Sequence, residues 1–321
     1  MASTTERAWA VAVLVLAIGG AVGSWIRAPK RSLEAGGELT TGRPDVALLD
    51  LQGPITDSGP AGGLTGGTSG IGAQQTVKWL RQAEKDGARA ILVRINSPGG
   101  TVAASQMIYE ELMRIRTVAK IPVVAAFGDV AASGGYYIAS AANHIVALPG
   151  STTGSIGVIL QVQEVSGLMG RLGIRDNTVK SGARKDVGSP FRPMDAGDRA
   201  SLQALVDDSY AQFLEAIRRG RPKLTLNKLK PLADGRVFTG RQAKAVGLVD
   251  ALGTPQEALS KAAALAGVVG EPTVRRYAKG SWLEGLLDLE SHTLLGGGGV
   301  ARQLGLTAGS WPAGIPLAVW P

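Results

Sequence analysis

The segment Ala90-Ile91-Leu92-Val93-Arg94-Ile95 most limits how this chain can fold. It is almost wholly apolar and rich in branched residues, which is the composition of a strand covered on both faces. It breaks at Asn96-Ser97-Pro98-Gly99-Gly100, and a helix is predicted over 102–116 with Ile108, Leu112 and Ile115 on one face. The same alternation recurs along the chain. Further strands are expected at 46–51, 122–127, 144–148 and 177–180 and near the end of 233–252; further helices are expected at 74–84, 136–142 and 163–172, within 233–252, and, as the longest, at 196–219. The longest helix carries a stripe of Leu202, Leu205, Val206, Phe213, Leu214 and Ile217. Strands alternating with helices predict an α/β fold with a mainly parallel sheet. Residues 57–72, rich in Gly, Ser and Thr, read as a mobile loop.

The 321 residues are enough for one large domain or two modest ones. The absence of cysteine excludes a disulfide framework and a thiol nucleophile. His144 and His292 are the only histidines, too few for a histidine-based metal cluster. The net charge of +8 fits attraction to an anionic membrane surface. No basic stripe interleaved with aromatics is present, so nucleic acid is not an expected partner.

Ala8 to Ile26 is a stretch of 19 residues without a charge, bounded by Arg7 and Arg27, with Trp9 and Trp25 near its ends. At about 1.5 Å per residue it just crosses a hydrocarbon core, and indoles favour the interface. The expected layout is an N-terminal tail at 1–7, a transmembrane anchor at 8–26, a linker at 27–44, a folded domain at 45–270 and a Gly/Pro-rich apolar tail at 271–321. A cleaved signal peptide competes with the anchor, because Ala21-Val22-Gly23 resembles a cleavage site. The tail reads as a flexible terminus, or as a peptide mimic occupying a cleft.

Ser133 lies in Gly128-Asp129-Val130-Ala131-Ala132-Ser133-Gly134-Gly135-Tyr136-Tyr137, where a predicted strand turns into a helix. Two alanines before it and two glycines after it would leave its hydroxyl exposed, with the Gly134 N–H beside it. That pairing offers a nucleophile and an oxyanion donor. The hydroxyl needs a base. His144, at the start of the next strand, would point away from it, and His292 falls in the irregular tail. Lysine remains. Its ordinary pKa of about 10.4 must fall by desolvation before it can accept a proton at neutral pH.

Five segments in order resemble the signal peptide peptidase A family, membrane-bound Ser–Lys proteases of the Clp-protease/crotonase superfold. They are Arg94-Ile95-Asn96-Ser97-Pro98-Gly99-Gly100, Ala131-Ala132-Ser133-Gly134-Gly135-Tyr136-Tyr137, Thr153-Gly154-Ser155-Ile156-Gly157-Val158, Ser181-Gly182-Ala183-Arg184-Lys185-Asp186 and Ala233-Asp234-Gly235-Arg236-Val237-Phe238-Thr239-Gly240. The length resembles the short, single-copy members. The resemblance implies a repeated β-β-α fold with an N-terminal transmembrane helix. It also implies that Ser133 is the nucleophile, Lys185 the general base and Ser155 the residue orienting that lysine. The Gly134 N–H and a second from Gly99 or Gly100 would form the oxyanion hole. Lys180 is the internal rival for the base, and Asp186, Tyr136 and Tyr137 read as structural. The implied substrates are remnant signal peptides and other apolar peptides, without cofactor or metal, and the implied assembly is a homo-oligomer. The family places its protease domain on the extracytoplasmic side of a cell membrane, as a single-pass protein. The charges flanking 8–26 lean the other way. A crotonase-like acyl-CoA enzyme and a non-catalytic membrane scaffold are the alternative readings.

Overall fold

The computed structural model describes residues 42–59, 70–277 and 317–319. The predicted anchor at 8–26, residues 60–69 of the predicted loop, and the tail apart from 317–319 lie outside the described residues.

The strands, in chain order, are β1 (Val46–Gln52), β2 (Ile55–Thr56), β3 (Ile71–Gly72), β4 (Ala90–Ser97), β5 (Gly99–Thr101), β6 (Val123–Ala132), β7 (His144–Ala147), β8 (Thr152–Gly154), β9 (Val237–Thr239), β10 (Ala251–Leu252), β11 (Val274–Tyr277) and β12 (Leu317–Val319). The main sheet runs β10-β7-β6-β4-β1-β11, and each pairing along that path is parallel. β8 pairs with the far end of β6 in parallel, and β9 pairs with β8 antiparallel. A smaller sheet has the order β12-β5-β2-β3.

β4 is covered on both faces, as its composition requires. Ile91, Val93 and Ile95 join the larger core, while Ala90 and Leu92 join a smaller core on the opposite face. The larger core is closed by α1 (Ala73–Lys85), α2 (Val102–Thr117), α3 (Gly134–Ser140) and the C-terminal half of α5 (Ala196–Gly220). A helix at Pro255–Leu265 closes the smaller core with Ala258, Ala262 and Ala263. Tyr136 and Tyr137 pack as expected. The Tyr136 hydroxyl donates to the Leu248 carbonyl at 3.0 Å, and the Tyr137 ring stacks on Phe213 with centroids 4.7 Å apart.

Four differences from the sequence reading bear on the site. β6 runs five residues past the expected end at 127, because the register shifts between Ile95 and Ser97 and the Asn96 side-chain oxygen accepts the Val130 N–H at 3.1 Å. Residues 177–180 form no strand, and Val179 is 99% exposed. The helix expected at 163–172 shortens to α4 (Ser166–Arg171). β11 extends the sheet beyond the expected boundary at 270, since Val46–Leu49 offers it a parallel edge. Among the described residues no helix is long and apolar enough to cross a membrane.

Candidate active site

Ser133 stands where β6 ends and α3 begins. Its carbonyl accepts the Tyr137 N–H at 2.8 Å, which starts the helix, and its own N–H donates to the Gly154 carbonyl at 2.8 Å. Between these anchors the backbone takes φ +52° and ψ −116°. Side chains rarely adopt that conformation, and it survives only where surrounding structure imposes it. Among the described non-glycine residues only Lys120, Ser133 and Ser155 have positive φ, and two of these are predicted site residues.

The expected exposure of the Ser133 hydroxyl is not seen. The residue is 0% exposed, and its Oγ has no hydrogen-bond partner among the described residues. Burial follows from its place between the two flanking segments. β8 lies alongside Ala132, and the Gly99–Gly100 backbone packs against Gly134. A buried hydroxyl without a partner is costly for a structural residue. It is suited to one whose partner arrives with a substrate or a base.

The glycines are there because neighbours crowd them. A Cβ on Gly134 would lie 2.4 Å from Ser105 Oγ and 3.1 Å from the Gly100 nitrogen. A Cβ on Gly100 would lie 1.9 Å from the Ile55 carbonyl oxygen. The Gly99 N–H donates to Ser97 Oγ at 3.1 Å. Ser97 and Ser105, both fully buried, shape this corner and were not singled out from sequence. Ser155 follows β8 directly, with φ +48°, and its N–H donates to the Arg236 carbonyl at 2.8 Å. The Ser155 hydroxyl makes no hydrogen bond among the described residues.

β12 lies antiparallel on β5, with Ala318 opposite Gly100 and Val319 opposite Gly99. A segment of the tail thus forms a strand beside the backbone that faces Gly134.

Lys185 makes no hydrogen bond to Ser133 among the described residues. It sits exposed in a turn, and its Nζ makes no hydrogen bond or ion pair among the described residues. Not one residue from 157 to 197 is buried. The rival Lys180 is committed elsewhere, donating to Asp186 at 2.7 Å and to the Ala183 carbonyl at 3.1 Å.

The family model for peptidase family S49 matches residues 116–269, and that for Clp protease matches residues 69–156. A candidate protease of Synechocystis sp. is 45% identical over 205 residues, covering 64% of this chain and 73% of that protein. The chain belongs to peptidase family S49. A candidate signal peptide peptidase of Enterococcus faecium is 37% identical over 215 residues, covering 67% of this chain and 61% of that protein. The chloroplastic serine protease SPPA of Arabidopsis thaliana is 35% identical over 232 residues, covering 71% of this chain and 33% of that longer protein.

Membership makes this chain a serine protease of the S49 family with a mixed α/β, Clp-protease-like fold. In this S49 peptidase His144 is remote from the serine. It pairs with Val124 at the opposite end of β6, nine residues before Ser133, a run of about 25–30 Å at about 3.3 Å per residue.

Proposed function

We propose that the protein hydrolyses peptide bonds with Ser133 as nucleophile and Lys185 as general base, the lysine being supplied by a second copy of the chain. The observation that carries this reading is the Ser133 corner: a buried, unpartnered hydroxyl on strained backbone, with the first N–H of α3 next to the Gly100 amide. The N–H of Gly134 opens the helix and has no acceptor within it, so it is free for an oxyanion.

Neutral Lys185 Nζ takes the Ser133 proton while Oγ bonds to the carbonyl carbon of the peptide. The negative oxygen is held by the Gly134 and Gly100 amides, and Ser155 orients the lysine. The carbon–nitrogen bond breaks as the ammonium returns its proton to the leaving amine. Water then gives a proton to the lysine and its oxygen attacks the ester. The bond to Oγ breaks, and the proton returns to Ser133. No step calls for a metal or cofactor.

Two observations support the second copy. The Ser133 hydroxyl has no partner among the described residues, and Lys185 lies on a stretch whose apolar side chains are exposed. Leu168, Leu172, Ile174 and Val179 are each at least 52% exposed. A homo-oligomer that covers this stretch would also dry the lysine beside the serine, as its base role requires.

The pairing of β12 on β5 supports a substrate bound as an added antiparallel strand, with main-chain hydrogen bonds giving affinity. Remnant signal peptides and other apolar peptides suit that mode. The apolar 8–26 segment would hold the enzyme in a cell membrane as a single-pass protein, with its protease domain on the extracytoplasmic side. A fluorophosphonate probe tests the reading. Mass spectrometry should place the adduct on Ser133, and an adduct on any other serine would move the nucleophile.

A further inference from the structure

We infer that Arg184, Asp186, Arg192 and Asp198 form a clamp that positions Lys185; the inference rests on Lys185 being the base. The turn around Lys185 has little else to hold it. No residue from 181 to 190 is buried, and only three hydrogen bonds join its backbone groups to one another, Lys185 N–H to Gly182, Val187 N–H to Arg184 and Ser189 N–H to Asp186; the Pro190 carbonyl also accepts the Val165 N–H. The two neighbours of Lys185 are nevertheless both tied to the first turn of α5. On one side Arg184 donates to Asp195 at 2.6 Å and to Asp198 at 2.8 Å. On the other, Asp186 accepts two hydrogen bonds from the Arg192 fork at 2.8 Å each, and Arg192 also donates to Asp198. Lys180 completes the set by donating to Asp186.

Two features show that the clamp is built. Asp198 is 0% exposed, so its carboxylate depends on both guanidinium groups; with either removed it would remain as an under-compensated buried charge. Gly197 sits in the first turn of α5. A Cβ there would lie 1.7 Å from an Arg184 guanidinium nitrogen, so glycine is what lets Arg184 lie against the helix. The charges close as well. Lys180, Arg184 and Arg192 supply three cations against the three carboxylates of Asp186, Asp195 and Asp198. Arg192, with Lys180, holds the Asp186 carboxyl well below the usual carboxylate range. Every carboxylate in the clamp is engaged by Lys180, Arg184 or Arg192, and none pairs with Lys185.

The test uses the full chain and measures kcat, KM and the acid limb of kcat/KM, where the base gains its proton. Arg192→Gln leaves one carboxylate in excess beside Lys185, so the acid limb should move to higher pH. Asp198→Asn leaves one cation in excess, so the limb should move to lower pH. Both should lower kcat about 10–100-fold, the size expected when a reacting group is misplaced by about 1 Å, with KM within about twofold. Arg192→Lys keeps the charge but cannot span two carboxylates; it should lower kcat without moving the limb, and it serves if Asp198→Asn does not fold. Wild-type kcat and limb in the folded variants would overturn the clamp. If Lys185→Ala is inactive while the clamp variants are unaffected, only this inference fails. If Lys185→Ala is fully active, the base assignment itself has failed.

Discussion

The two halves of the proposed site are held by different physics. Ser133 is fixed by packing: parallel strands on both sides of β6, a helix started by its own carbonyl, and glycines that let backbones meet. Lys185 is surrounded by solvent and fixed by charge pairs running to α5. Packing sets the nucleophile in a single conformation before any partner arrives. Charge pairs hold a turn in place while leaving it exposed enough to dock. The difference teaches that a single chain prepares the serine fully and the lysine only in part.

The sharpest break in this comparison comes from removing each reacting group. Ser133→Ala and Lys185→Arg should each lower kcat by at least about 10⁴-fold, because residues that act as a unit fail together. Melting temperature should be unchanged for Lys185→Arg, since that side chain is exposed and makes no hydrogen bond or ion pair among the described residues. Lys180→Ala should keep most of its activity by comparison. Gly134→Ala comes next. Its Cβ would press on Ser105 Oγ and displace the N–H from the oxyanion, at a cost of about 10²–10³ in kcat/KM. The smallest effect concerns the tail. Deleting residues 300–321 removes β12 from β5, and KM for an added peptide should fall while kcat holds. An unchanged KM would mean that β12 does not compete with substrate.

The main sheet was legible because its strands are apolar enough to be buried on both faces and its helices carry an apolar stripe. β4 and α2 follow the sequence reading closely. The short strands were not legible. β2, β3, β5 and β8 have two or three residues each, several of them glycine, and exist because a neighbouring backbone pairs with them. The stripe on α5 was legible in excess. Phe213, Leu214 and Ile217 are buried, but Leu205 is 42% exposed, because the first half of that helix stands beside the lysine turn and not over the core. In the proposed site, the strand-to-helix junction at Ser133 and Gly134 was legible from its residue types. The clamp could not be read, since its carboxylates and guanidinium groups meet across a loop whose path no periodicity records.

Mixing two inactive variants tests the central claim most directly. Ser133→Ala carries an intact lysine and Lys185→Ala an intact serine. Co-assembled in equal amounts, they should recover about a quarter of the wild-type rate, the share of random interfaces that join the two intact groups. Each variant alone should remain inactive. A co-assembled mixture as inactive as its parts would contradict a serine activated by a lysine from a second copy.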